Sequence, residues 1–284
     1  MRQPLPTTSV GSAALVESTS KLFKGRLLVW LLLIPLTLAA MAAPLWVAAI
    51  YVLAWILAAS LEFLRLYIKP FRFYHLLFLI ATILIWAYTL FLTPFSLASH
   101  LFAAFVIQVL LWLLFFPSKP ALILPLLILP LYLGFVPVHF VLLKQEVVKG
   151  GLSYAWLAFP FVMTWVNDTA AYLLGSWLGR TLLCPKISPR KTVEGLISGI
   201  VVTVGAGVGY SALFLRDQPL WWGAILALAV ALIGVLGDLL ESAIKRERGV
   251  KNSSEILGGH GGFLDRIDSL MFGVAIYYYL CLIL

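Results

Sequence analysis

Charge is what this 284-residue chain has least of: 11% of its residues are Asp, Glu, Lys or Arg, against about a quarter in an ordinary soluble domain. That scarcity excludes a soluble globular protein. Together with 62% apolar residues it also excludes a disordered chain, which needs low hydrophobicity and high charge. Cysteine is nearly absent, with two residues in all. Cys184 falls in a polar loop and Cys281 toward the opposite end of the last apolar stretch, out of each other's reach, so neither a disulfide nor a thiolate metal site is indicated.

Apolar runs are what the chain has in excess, with a mean hydropathy of +1.03. A crossing helix takes about 20 mostly apolar residues. Nine such stretches can be marked off, at 27–43, 44–60, 76–94, 101–117, 121–143, 152–179, 195–215, 220–240 and 267–284. The fold class is therefore all-α: a polytopic integral membrane protein with about nine transmembrane helices. The first two stretches form one run between Arg26 and Glu62, too long for a single untilted span, and Pro44 near its middle predicts a tight helical hairpin. Residues 27–39 followed by Ala40, Met41 and Ala42 have the outline of a signal peptide, but the long polar segment before them and the apolar sequence after them argue against one.

Cytoplasmic loops retain lysine and arginine. With the N-terminus inside, every one of the twenty basic residues except Lys144, Lys149 and Arg216 falls on the inner side. The net charge of +8 thus reads as topology plus an anionic substrate, and nucleic acid is not needed to explain it. Between Tyr74 and Leu143 the only formal charge is Lys119, which marks a lipid-facing scaffold. Beyond it, charge gathers in two polar segments, Arg180 to Glu194 and Glu241 to Asp268, placed by this topology on one face and able to form one site.

In the first segment Pro185, Pro189 and Gly195 make an ordered loop rather than a helix. Lys186, Arg190 and Lys191 surround the Ser188 hydroxyl, a set suited to phosphate oxygens. A basic patch binding anionic lipid heads without catalysis has the same composition. In the second segment, if the eighth helix continues past the membrane surface, Asp238, Glu241, Ser242 and Lys245 share one helical face. Gly258, Gly259, His260, Gly261 and Gly262 then leave the backbone free to approach a ligand.

Asp265 and Asp268, three apart and flanking Arg266, suggest magnesium, which favours a few carboxylates plus substrate phosphates and waters. A single aspartate there reads as a helix N-terminal cap; the pair, beside Arg266 and a glycine loop, favours the metal. Asp168 lies within an apolar stretch, where a carboxylate costs at least ~2.5 kcal/mol on insertion scales. It reads as a metal ligand, a contact to a substrate hydroxyl, or a structural partner of Asn167. His75, His100 and His139 read as interfacial residues with no role.

The run Ser242, Ala243, Ile244, Lys245, Arg246, then Lys251, then Gly258 through Gly262 and Asp265, Arg266, Ile267, Asp268 closely resembles the C-terminal motif of the phosphatidate cytidylyltransferases, or CDP-diacylglycerol synthases. The loop Pro185 to Gly195 is similar to a second stretch of that family. One position departs, since Asn252 stands where the family usually has Asp.

The resemblance implies transfer of the cytidylyl group of CTP to phosphatidic acid in the membrane, giving CDP-diacylglycerol and pyrophosphate for phospholipid biosynthesis. It implies a cytoplasmic tail over 1–26, a transmembrane scaffold over 27–143 and a catalytic domain over 144–284 that opens to the cytoplasm, in a homodimer. Asp265, Asp268, Lys245 and Arg266 would be catalytic. Lys186, Ser188, Arg190, Lys191, Ser242, Arg246, Lys251, Gly259, His260 and Gly261 would bind substrate. Asp168, Asp238, Asp265 and Asp268 would hold magnesium, with or without a second cation. Two other functions share parts of this pattern: a CTP-dependent polyprenol or phytol kinase, and an ion-coupled transporter using Asp168 and Asp238.

Overall fold

The computed structural model describes residues 31–68, 130–254 and 261–283, with scattered helical positions between 73 and 110. The tail 1–26, most of the stretches 76–94 and 101–117, and the start of 121–143 lie outside the described residues.

The first apolar run breaks at the expected proline. Helix α1 is Leu31–Ala42 and α2 is Leu45–Tyr67, with Pro44 between them, its missing N–H costing nothing at a helix start. Thr37 and Tyr51 join hydroxyls across the break at 2.8 Å. A π-helical turn, Pro130–Phe135, runs directly into α3, Val136–Lys149. Pro137 accounts for the widened turn, because it has no N–H to give the carbonyl four residues back and its ring crowds that carbonyl.

Next come α4, Ala155–Leu178, and a short antiparallel hairpin of β1, Leu182–Cys184, and β2, Ser188–Thr192. Helices α5, Val193–Phe214, α6, Leu220–Glu247, and α7, Leu264–Ile283, complete the chain. The ordered, non-helical loop expected around Pro185 is this hairpin, the one departure from an all-α fold among the described residues.

Helices α2, α5, α6 and α7 are long and apolar enough to cross a membrane, and the molecule is an α-helical integral membrane protein. The 28 residues of α6 extend about 42 Å at 1.5 Å per residue, well beyond a ~30 Å hydrocarbon layer. A helix of this length has room to carry its charged last turns, from Asp238 on, past the lipid. Ile197, Val201, Leu213 and Phe214 on α5 and Leu232 and Leu236 on α6 remain exposed on the outside of the bundle, where lipid tails are their natural neighbours.

The helices pack in the order α4–α5–α6–α7, with α3 against α7 and α2 against α3. One core cluster includes Phe140, Phe159, Leu226 and Tyr277; another joins Phe63, Leu64 and Leu133 to Ile244, Leu264 and Ile267. Scaffold and C-terminal half thus share a core, and α3 runs unbroken through residues 143 and 144. Lys144, an exception to the charge rule, is fully buried. Its ammonium donates to the carbonyls of Ala40, at 2.7 Å, and Ala43, capping the end of α1. His139 is not interfacial as expected: it is buried, its Nδ1 2.9 Å from the Phe135 carbonyl. Cys184 and Cys281 are both free.

Candidate active site

Four elements meet at the end of the bundle where α4 closes, the hairpin turns, α6 ends and α7 begins. The hairpin is fixed at its base by Glu194, whose carboxylate accepts the backbone N–H groups of Arg180 and Thr181 at 3.0 and 3.1 Å. Thr192 caps α5 by accepting the N–H of Gly195 at 3.1 Å. Held so, β2 points Lys191 into an ion pair with Asp238 of α6, while the hairpin turn rests on Arg246, whose Nε donates to the Ile187 carbonyl at 3.1 Å. The two polar segments therefore build one site.

On α6 the Ser242 hydroxyl lies 3.3 Å from Asp238 Oδ1. Gly237 brings α7 close: a Cβ there would meet the Asp268 carbonyl and the Phe272 ring at 2.4 Å. That approach sets Asp238 beside Asp268. Asp168 arrives from α4, with the Ser269 hydroxyl 3.4 Å from its Oδ2. Asp168, Asp238, Asp265, Arg266 and Asp268 all line one cleft of about 500 Å³.

Beneath the cleft, Lys245 is buried between two carboxylates, paired with Glu241 one turn back and with Asp265 Oδ1 at 2.6 Å. Asp265 Oδ2 accepts the Ser253 N–H at 2.9 Å and the Gly262 N–H at 2.8 Å, and lies 3.0 Å from the Ser253 hydroxyl oxygen. Of the four aspartates proposed for a metal it is the most committed to protein donors. Asp168, Asp238 and Asp268 are freer toward the cleft and offer oxygen only, the donor set of a hard cation. Among the described residues no group of three or more acidic, histidine or cysteine side chains is placed to hold a metal ion together, so an ion here would have at most two protein carboxylates. Such a set suits magnesium, which keeps waters and takes phosphate oxygens from its substrate.

Lys186, Arg190 and Lys251 are exposed and make no ion pair among the described residues. Ser188 is half-buried in β2. Gly261 is described, with φ +79°, whereas Gly259 and His260 lie outside the described residues. Asn252 is exposed beside Gly261. Two buried acids were overlooked as members of the site, Glu241 and Glu62. Glu62 had a visible signal: it is the only acidic residue between Leu27 and Leu143, and an acid at membrane depth is costly without a function.

An apolar slot adjoins the polar cleft. Leu33, Thr37, Tyr51, Trp55, Phe140 and Met271 line it, and Ile34, Trp165, Arg266 and Leu270 line both spaces. The slot is small, about 60 Å³, and meets only a short part of an apolar chain: charge is met in the cleft, apolar contact in the slot, and Arg266 stands at their junction.

These features define an integral membrane protein whose cation-and-carboxylate cleft opens beside an apolar slot. The chain belongs to the Cytidylyltransferase family, which it matches over residues 24–284. It is similar to the phosphatidate cytidylyltransferase of Synechocystis, 44% identical over 136 residues, which are 47% of this chain and 45% of that one. It is likewise similar to the phosphatidate cytidylyltransferases of Staphylococcus saprophyticus, 40% identical over 140 residues, 49% and 53% of the two chains, and of Bacillus subtilis, 39% identical over 142 residues, 50% and 52%. In each match the chain spans about half the length of its curated relative.

Proposed function

We propose that this protein transfers the cytidylyl group of CTP to phosphatidic acid, at a site open to the cytoplasm. A phosphate oxygen of phosphatidate attacks the α-phosphorus of CTP, the bond from that phosphorus to the bridging oxygen of the β-phosphate breaks, and pyrophosphate leaves as CDP-diacylglycerol forms. No general base is required, because a phosphate monoester is already ionised near neutral pH. The observation that carries the reading is the polar cleft with its apolar slot, joined at Arg266. The names of the relatives, phosphatidate cytidylyltransferase, agree with it.

Nucleophile, nucleotide and leaving group are all anionic, so the site must bring like charges together and stabilise the charge on the leaving group. Lys191 and Arg266 supply positive charge at the cleft, with Lys186, Arg190, Arg246 and Lys251 in the surrounding polar segments. Lys245 bridges the two acids beneath, Glu241 and Asp265, and holds Asp265 in place. Asp238 and Asp268 would hold magnesium, with Asp168 across the cleft and Asp265 behind them. The metal's chemistry there is neutralisation of phosphate charge. The slot takes the part of the lipid next to its headgroup and keeps the phosphate at the cleft. With the N-terminus inside, seventeen of the twenty basic residues fall on the site's side of the membrane, which supports an inward-facing site, and the family resemblance adds a homodimer to the reading.

The test is a pyrophosphate-release assay on the purified protein in mixed micelles. Release that requires CTP, phosphatidate and magnesium together is expected. Release of CDP instead, with a polyprenol or phytol as acceptor, would replace this reading with the kinase.

A further inference from the structure

Helix α7 begins without a cap of its own. Its first turn holds Leu264 and Asp265, and the position before it is Phe263, whose side chain has no acceptor for the orphan N–H groups of a helix start. The acceptor comes from another helix. Glu62, on α2, is 1% exposed, and its two carboxylate oxygens accept four hydrogen bonds. Oε1 takes the Phe263 N–H at 2.9 Å and the Ser254 hydroxyl at 2.6 Å; Oε2 takes the Leu264 N–H at 3.0 Å and the Ser253 hydroxyl at 2.9 Å.

These donors flank the glycine-rich segment on both sides, Ser253 and Ser254 before it and Phe263 and Leu264 after it. One carboxylate thus pins both ends of the segment and the start of the helix that carries Asp265, Arg266 and Asp268. A negative charge is also the favoured occupant of that helix end. Two further contacts tie α2 to this region: Trp55 meets Phe263 edge to face at 5.0 Å, and the Tyr67 hydroxyl donates to Glu247 at 3.0 Å.

Glycine at 262 has its explanation here, since a Cβ on Gly262 would lie 2.2 Å from Glu62 Oε2. The Ser253 hydroxyl is also within 3.0 Å of Asp265 Oδ2. Glu62 and Asp265 are therefore one hydroxyl apart, and the position of one is transmitted to the other.

We propose that Glu62 is a positioning residue of the transfer site, supplied by the N-terminal half of the chain to hold Asp265, Arg266 and Asp268 in register with the cleft. The inference rests on the transfer reading for its kinetic part alone. The test is Glu62→Gln in the full-length protein. The amide is isosteric, yet whichever way it turns its NH2 faces a backbone N–H of Phe263 or Leu264, so the cap fails without loss of volume. Gly262→Ala is the second variant: it keeps the carboxylate but displaces it, and serves if Glu62→Gln does not fold.

Expected for either variant is a fall in kcat per folded molecule of about 10- to 100-fold, the range seen when a supporting hydrogen-bond partner is lost. KM for CTP and phosphatidate should stay within about threefold, the smaller share of such a loss. Hydrogen exchange should quicken at Phe263 and Leu264 and remain unchanged in α4 and α5. An unaltered kcat per folded molecule, or exchange that quickens throughout the bundle, overturns the proposal. If the wild-type protein releases no pyrophosphate, the transfer reading fails instead, and the exchange of Phe263 and Leu264 still decides the role of Glu62.

Discussion

Lys191, on the second strand of the hairpin, forms an ion pair with Asp238 on α6, 47 residues further along the chain. The contact joins the basic hairpin to the acidic cleft, and each partner keeps about a third or less of its side chain exposed, 30% and 27%. A partly solvated pair of this kind contributes at most about 1 kcal/mol to stability. Its weight is therefore expected in catalysis. Lys191→Met should lower kcat/KM for CTP about 100-fold, the scale of losing one charge-stabilising donor, while the unfolding midpoint hardly moves. A large drop in the midpoint with kcat/KM unchanged per folded molecule would show that the pair is structural.

Removing the metal should stop turnover. EDTA is expected to abolish pyrophosphate release and excess magnesium to restore it. Asp238→Asn and Asp268→Asn should each raise the magnesium concentration needed for half-maximal rate, measured by titration at fixed CTP. Full activity in EDTA would remove the metal from the scheme.

Lys245 tests the buried charges beneath the cleft. Lys245→Met leaves Glu241 and Asp265 buried without their cation, and breaking a buried pair by removing one partner costs about 3–5 kcal/mol. Denaturant unfolding in detergent should register that loss. The double variant Lys245→Met with Glu241→Gln should recover part of it, because one of the two uncompensated charges is gone. Equal stability of the single and double variants would mean that the acids do not share Lys245.

Ile34 stands where cleft and slot meet. Ile34→Trp should raise KM for a long-chain phosphatidate about tenfold, within the range a steric change in an apolar pocket commands, and leave a short-chain substrate much less affected. Kinetics on dioleoyl and dihexanoyl phosphatidate would separate the two, and an equal effect on both would move the acyl chain out of the slot.

Much of this architecture is legible in the residues themselves, because membrane helices announce themselves by hydropathy. The break at Pro44 and the ordered, non-helical segment around Pro185 follow from local chemistry, whereas the pairing of that segment into two strands does not. Asp168 could be picked out because a carboxylate within apolar sequence is costly, Asp238 because it shares a helical face with Glu241, Ser242 and Lys245, and Asp265 and Asp268 because they stand three apart beside Arg266. Glu62 was legible by the same rule as Asp168, but its role was not: it depends on α2 lying beside the start of α7, a tertiary contact that no spacing encodes. Lys144 and His139 teach the same lesson from the other side. Lys144 looks like a loop residue until its burial against the carbonyls of Ala40 and Ala43 is seen, and His139 looks interfacial until α3 packs it inside.

The most direct measurement of the central claim follows the α-phosphorus of CTP. With α-labelled CTP, phosphatidate and magnesium, the label should pass into the lipid extract while γ-label leaves as pyrophosphate. Label that stays in the aqueous nucleotide while γ-label enters the lipid would contradict the account.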